Sequence, residues 1–532
     1  MRVISRCAAA ILLAGCAQGV QTSVDSANGP RTRAERTNYL ETSHYADVVA
    51  FLDSLKGRPE LAFGSIGKTN EGRDIPYVIA SRPRVSTPED ARKLNRPILY
   101  IQGNIHAGEV EGKEALLAIL RDLSSSRKPN VLDSVILIAV PIYNADGNER
   151  FAHQEQNRGS QNGPEMVGIR ANAQGLDLNR DYIKAEAPET RASLAMFNAW
   201  NPDLFVDLHT TDGSYHGYAL TYAPPLNPAA PLATWARDSV MPVLRERMQT
   251  RHGFATFDYG DFIDDDTLSK GWVTFDSRPR FGTNYYGLRG RTAILSEAYS
   301  HDPFERRVRS TYAFVQEILS LAAEKRSEFR RSVQPPREVA IRSEMIAAPD
   351  SVGVIAEALE RTGDSSRTQP GVPKGRRRTG RFSTVKMPVF ERFKPVLVAP
   401  VPTRYVIPEA DTQVVRVLRQ HGITVGQTGR APANTQLVTE AYVFAIDSAI
   451  LAARPFQGHR EMRLTGRWHK ETRRIPPGSF VVSTSQPLGL LAVYLLEPQS
   501  DDGLVTWNYF DSELKAGGLY PVFKTGGATP TP

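Results

Sequence analysis

Two residues three apart, His106 and Glu109, follow the apolar run Ile98-Leu99-Tyr100-Ile101 and a Gly/Asn turn in the stretch PILYIQGNIHAGEVEGK. Neutral imidazole and carboxylate are ligands suited to Zn²⁺, and a catalytic zinc site takes three protein ligands and leaves a fourth place for water. H-x-x-E alone is a common chance pattern, so a third ligand has to be found. A second apolar run, DLFVDLH, ends in His209, the only histidine in this half of the chain besides His106 that closes a strand-like segment. A third, RTAILSEAYS, carries Glu297 at its end. A carboxylate there is costly to bury without a task or a partner, which makes Glu297 either a general base or the ion-pair partner of Arg289 or Arg291. Between them, GIRANAQGLDLNRDY sets Arg170, Asn179 and Arg180 on a turn-rich segment. A guanidinium fork and an amide can hold a carboxylate there, and a surface salt bridge is the plainer alternative.

The elements that must position these groups follow from periodicity. Strands are expected at 98–102, 135–141, 203–208 and 292–296, with helices at 111–124, 188–200, 229–249 and 303–329. An earlier helix at 45–55 and short strands near 61–66 and 76–80 precede them. Such alternation gives an α/β class, an α/β/α sandwich around a mixed, mostly parallel sheet, whose strand carboxyl ends are where ligands bind. From about residue 334 to 532 the texture changes to a second, β-rich α+β domain, with strand then helix within 405–425 and β-forming residues alternating with turns over 480–496. The Arg/Gly/Ser-rich stretch 361–381 reads as a basic loop.

At 532 residues and 41% hydrophobic content, the chain has room for two or three domains, and its net charge of +7 is too small and too dispersed to imply nucleic-acid binding. Arg2 and Arg6, a short apolar run and Leu13-Ala14-Gly15-Cys16 read as a secretory signal over residues 1–16, too short to span a bilayer permanently. Its ending resembles a bacterial lipobox. That implies cleavage before Cys16, lipid attachment to its thiol and an exported, envelope-anchored protein on the periplasmic or outer-membrane face, with residues 17–38 as a flexible tether. Both cysteines, Cys7 and Cys16, lie in this segment, so the mature chain offers no thiol for catalysis or zinc.

The order H-x-x-E, N-x-D-G (Asn144, Asp146, Gly147), R…LNRD, strand-terminal His and strand-terminal Glu resembles the M14 family of zinc carboxypeptidases over residues 39–333. The resemblance implies one Zn²⁺ per chain on His106, Glu109 and His209. It also implies a peptide substrate, Glu297 as general base, Arg170 on the oxyanion, and Asn179 with Arg180 on the substrate's terminal carboxylate. Two departures stand out. Gly108 occupies the place of an arginine in the best-known members, and the closing tyrosine has only Tyr285 and Tyr286 as candidates. The acidic run DFIDDD, 261–266, lies where a specificity loop is expected, and reads either as a preference for basic substrates or as a solvated turn. A zinc-dependent deacylase of the aspartoacylase type and a non-catalytic peptide-binding lipoprotein are the alternative readings. Neither a G-x-S-x-G elbow nor an H-E-x-x-H helix is present.

Overall fold

The computed structural model describes residues 29–125, 128–334, 336–362, 372, 375–429 and 438–526; Cys16 and the signal segment lie outside them. Its centre is an eight-stranded mixed sheet. The strands are β1 (Leu61–Lys68), β2 (Asp74–Ala80), β3 (Ile98–Gly103), β4 (Ile136–Val140), β5 (Leu204–Thr210), β6 (Leu220–Ala223), β7 (Thr256–Asp258) and β8 (Thr292–Ala298). Their spatial order is β1-β2-β4-β3-β5-β8-β6-β7. The inner strands β4, β3, β5 and β8 run parallel, and the other pairs are antiparallel except β6 with β7.

The inner strands read as continuous apolar runs because both faces are covered. Successive side chains alternate: Ile98 and Tyr100 of β3 enter one core, Leu99 and Ile101 the other. Burying each such side chain is worth about 1.5–3 kcal/mol, so a register slip of one residue is strongly opposed. One face is covered by α1 (Tyr45–Ser54), α2 (Glu111–Ser125), α4 (Met241–His252) and α6 (Phe304–Glu324). The other is covered by α3 (Pro188–Trp200) and α5 (Gly282–Leu288) and then by the C-terminal region, whose α7 (Thr412–Gln420) and α8 (Gly489–Leu496) share that core.

The C-terminal region is built on a six-stranded antiparallel sheet dominated by the long hairpin β9 (Val438–Leu451) and β10 (Met462–Arg474). Three expectations need correction. The basic stretch is not all loop: Arg376–Met387 is a strand paired with Val352–Arg361, and Arg377, Arg378 and Arg381 face Glu360 and Glu357 across the hairpin. Cross-strand ion pairing lets so charged a segment be extended. Residues 29–38 are not a free tether, because a turn at Arg33–Arg36 capped by Thr32 buries Ala34 and pairs Glu35 with Arg121. Within 480–496, the apolar GLLAVYLL forms helix α8 rather than β structure. No helix among the described residues is long and apolar enough to cross a membrane.

Candidate metal centre

The carboxyl ends of β3, β5 and β8 bring the chemistry together. After β3 the chain turns through Asn104, whose φ of +65° starts the reversal, and whose amide binds Ala107 O and Glu109 O. This delivers His106 and Glu109 just ahead of α2. His209 sits near the end of β5, and in the parallel pairing with β8 its register partner is Glu297. Two residues far apart in sequence thus become neighbours through strand register alone.

His106 Nδ1, His209 Nδ1 and the Glu109 carboxylate converge: His106 Nδ1 is 3.0 Å from Glu109 Oε1, His209 Nδ1 is 2.9 Å from Oε2, and the two Nδ1 atoms are 3.2 Å apart. Each imidazole turns its other nitrogen to a carboxylate, His106 Nε2 to Asp177 Oδ1 and His209 Nε2 to Asp207 Oδ2, both at 3.0 Å. Asp177 takes the hydrogen bond of His106 Nε2 and Asp207 stands at ion-pair distance from His209 Nε2, an arrangement that leaves both Nδ1 atoms to turn lone pairs inward beside Glu109. Three inward acceptors with no proton between them are reconciled by a cation. Two imidazoles and one carboxylate fit zinc, with ligand atoms lying within 4.8 Å of one another. Without a cation, the acidic surroundings of the centre draw a proton onto the His209 imidazole. Burial alone would raise Glu109, but His106 and Arg158 hold its carboxyl well below the usual range. His209 is pushed well above the usual imidazole value by Asp207 and Glu109 despite its burial.

Glu297 is buried, and burial together with the Glu109 and Asp212 carboxylates pushes its carboxyl well above the ordinary value against the opposing His209 and Arg158 charges. Arg170 borders the centre, its Nη1 3.5 Å from Glu109 Oε1 and its Nε 2.9 Å from Asp177 Oδ2. Asn179 and Arg180 follow on a single 3₁₀ turn capped by the Asp177 side chain. Asn179 Oδ1 accepts from Gly282 N at 2.8 Å, and the Arg180 guanidinium lies 3.9 Å from the Phe281 ring centroid. Asp177 therefore links a metal ligand to the two arginines. Burial would raise its carboxyl, but His106, Arg170 and Arg180 hold it well below the carboxylate range.

Tyr285 and Tyr286 are not at the centre. Both lie on α5 with their rings in the core, where Tyr286 stacks on Phe197 at 3.9 Å and the Tyr285 hydroxyl meets His421 Nδ1 at 2.7 Å. The tyrosine beside the site is Tyr259, half-buried after β7, whose phenol is kept protonated by burial and by the carboxylates of Glu297, Asp261, Asp212 and Glu109. It sits in FDYGDF, a stretch with no periodic signal; only its place just before the acidic run marked it. Gly108 has a physical reason. A Cβ there would meet Arg158 Cγ at 2.6 Å and Gly168 O at 2.9 Å. Arg158 itself is spent on the scaffold of the centre, its Nη1 3.1 Å from Glu109 Oε1 and its Nη2 3.0 Å from the carbonyls of Thr210 and Thr211. Asn144 and Asp146 serve the scaffold, tying Ile105 O, Arg170 O, Thr69 and Arg73 together. His301 hydrogen-bonds Gly213 O and stacks on Tyr215, away from the ligands.

Beside the centre a cavity of about 530 Å³ is lined by Asp212, Asp261 and Asp265 with Ser160, Ser214 and Tyr215. The rest of the acidic run is spent on ion pairs, Asp264 with Lys270 and Asp266 with Arg376.

Two imidazoles and a carboxylate at the carboxyl ends of a largely parallel sheet, with a buried carboxyl in register beside them, define a zinc hydrolase. The family model described as zinc carboxypeptidase matches residues 48–252. Carboxypeptidase 2 of Trichophyton tonsurans is 24% identical over 524 residues, covering 94% of this chain and 86% of its own. Human carboxypeptidase D is 32% identical over 157 residues, 28% of this chain and 10% of its own. Among solved structures, the metallo-carboxypeptidase from Burkholderia cenocepacia is 19% identical with a TM-score of 0.39, covering 52% of this chain and 69% of that one. Over residues 48–252 the chain carries a zinc carboxypeptidase domain of the M14 type, and its activity is that of a zinc metallocarboxypeptidase.

Proposed function

We propose that the chain releases C-terminal residues from peptides with Glu297 as general base, Arg170 at the oxyanion, and Asn179 with Arg180 on the terminal carboxylate. The observation that carries the reading is the register of Glu297 with His209, which sets a buried carboxyl directly beside the ligand triad. Bound zinc supplies a Lewis acid and lowers the pKa of its water to near ~7. A carboxyl whose affinity for a proton is raised by burial and by two neighbouring carboxylates is suited to take the remaining proton from the attacking water and return it to the leaving amine. Arg170, fixed by Asp177, presents a cation where negative charge develops, an interaction worth roughly 2.7–4 kcal/mol for a single donor. Arg180, its guanidinium held over the Phe281 ring beside Asn179, presents an N–H edge for a carboxylate. The acidic cavity favours substrates that bring a cationic side chain to it.

The test is Glu297→Gln. The variant is expected to bind one equivalent of zinc and lose turnover on a mixed peptide library. Full turnover would remove Glu297 from the role, and release of acyl groups only, from N-acyl amino acids, would move the reading to a deacylase. The lipobox-like L-A-G-C supports a lipid anchor at Cys16 and an envelope location facing peptide substrates.

A further inference from the structure

The C-terminal region reaches the metal centre through one turn. Between β9 and β10 the chain closes at Phe456–His459, where Phe456 N donates to His459 O at 2.7 Å and His459 N to Phe456 O at 3.0 Å. The two tip residues, Gln457 and Gly458, have φ of +50° and +81°. Turns of this hand take Asn, Asp or Gly at the first tip position, so a glutamine there is held against its own steric preference. Such residues persist where the surroundings hold them, and they cluster at functional sites.

The surroundings come from both halves, Glu186 and Arg280 from the catalytic one and Asn508 from the C-terminal one. His459 Nε2 lies 2.9 Å from Glu186 Oε1 and its Nδ1 3.0 Å from Asn508 Oδ1, while the Phe456 ring lies 5.2 Å from the Arg280 guanidinium. The tip side chain then enters the site: Gln457 Oε1 accepts the backbone N–H of Asp177 at 2.9 Å. Asp177 holds His106 Nε2 through one carboxylate oxygen and Arg170 Nε through the other. Its main chain is anchored from a segment 280 residues away in sequence.

We infer that Gln457 is a positioning residue of the metal centre, supplied by the C-terminal region. By fixing the main chain of Asp177 it sets the carboxylate that aims both His106 and Arg170. The C-terminal region is thereby part of the catalytic apparatus. The kinetic arm of the test rests on the function proposed above, and the metal arm does not.

The experiment compares the full chain with Gln457→Gly and Gln457→Asn. Glycine at φ +50° relieves the steric cost while enlarging the freedom of the unfolded chain, two effects that nearly cancel. Asparagine tolerates the same backbone but withdraws the amide by one methylene. Unfolding midpoints of the zinc-free proteins are expected within about 2 °C of wild type. Zinc affinity, read by chelator competition, and kcat/KM on a peptide should each fall roughly threefold to tenfold, less than on removing a direct outer partner of a ligand. Unchanged zinc affinity in both variants would overturn the inference, as would losses that merely track a lowered midpoint. A wild-type protein that cleaves no peptide, with the zinc arm responding as expected, would refute the proposed function and leave the inference standing.

Discussion

A buried ion pair, Arg280 with Asp502, spans the two halves of the molecule, and removing it measures what that contact contributes to their union. Asp502 accepts from the Arg280 backbone N–H at 2.6 Å, from Arg280 Nε at 2.9 Å and from Trp507 Nε1 at 3.0 Å, with both charged side chains buried. Asp502→Ala strands two neutral buried donors, at about 1–3 kcal/mol each. The guanidinium keeps Glu461 at 2.8 Å, so its charge is not left wholly uncompensated. The cost should therefore fall near the low end of the roughly 3–5 kcal/mol seen when one partner of a buried pair is removed, about 3 kcal/mol. Arg280→Met leaves the Asp502 charge buried and should cost as much or more. The double variant Arg280→Met/Asp502→Ala removes both charges, and should cost no more than the larger single change, a coupling of at least about 3 kcal/mol. Urea unfolding followed by tryptophan fluorescence reads all three, Trp507 itself being in the contact. Because Arg280 precedes the helix whose Gly282 N binds Asn179, KM for peptides should rise in the single variants. A cost for Asp502→Ala under about 1 kcal/mol, or single costs that simply add, would refute the reasoning.

Asp207→Asn, which weakens the acceptor on His209 Nε2, should lower zinc affinity about ten- to hundredfold by chelator competition with little change in the fold. Burial, reinforced by the Asp212 and Asp265 charges, pushes the Asp261 carboxyl up to about 6. Below that pH it is neutral and above it anionic, so the kcat/KM ratio of lysine-bearing over leucine-bearing peptides should rise between about pH 5 and 7. Asp261→Asn should flatten that rise; a ratio independent of pH in wild type would detach the cavity from substrate choice. On the lipid anchor proposed at Cys16, wild type is expected in the membrane fraction on cell fractionation and Cys16→Ser in the soluble one; wild type in the soluble fraction would refute the anchor.

The ligands and the base were legible because each closes an apolar run, and an apolar run in a sheet covered on both faces is the plainest signal a sequence carries. His106, His209 and Glu297 are read from their own strands, although only pairing shows that the last two are neighbours. Loop residues gave no such signal. Arg158 lies in QNRGSQNG and Tyr259 in FDYGDF, and each owes its place to tertiary packing. Asp177 stood in the same LDLNRD phrase as Asn179 and Arg180; an N-cap aspartate two residues before the asparagine was the available clue. Tyr285 and Tyr286 stand as candidates for the closing tyrosine in the sequence because a seven-residue helix rich in Gly and Asn has no readable period to place them in the core. Helix α8 was misread because an apolar run of eight can be strand or buried helix. Gln457 could not be found from sequence at all, since its importance lies in a backbone angle and a contact across 280 positions.

The Arg158 guanidinium has a consequence for how the site can change. Its stem fills the volume that any side chain at 108 would need, while its head stands against Glu109. Position 108 is therefore closed from two sides: a small residue at 158 would free the stem's volume but leave the ligand carboxylate without this cation, and the Gly168 carbonyl, 2.9 Å from any Cβ at 108, would still bar a side chain there. The charge beside Glu109 is thus tied to the segment that carries Arg158, and moving it to position 108 would require the backbone at Gly168 to move as well.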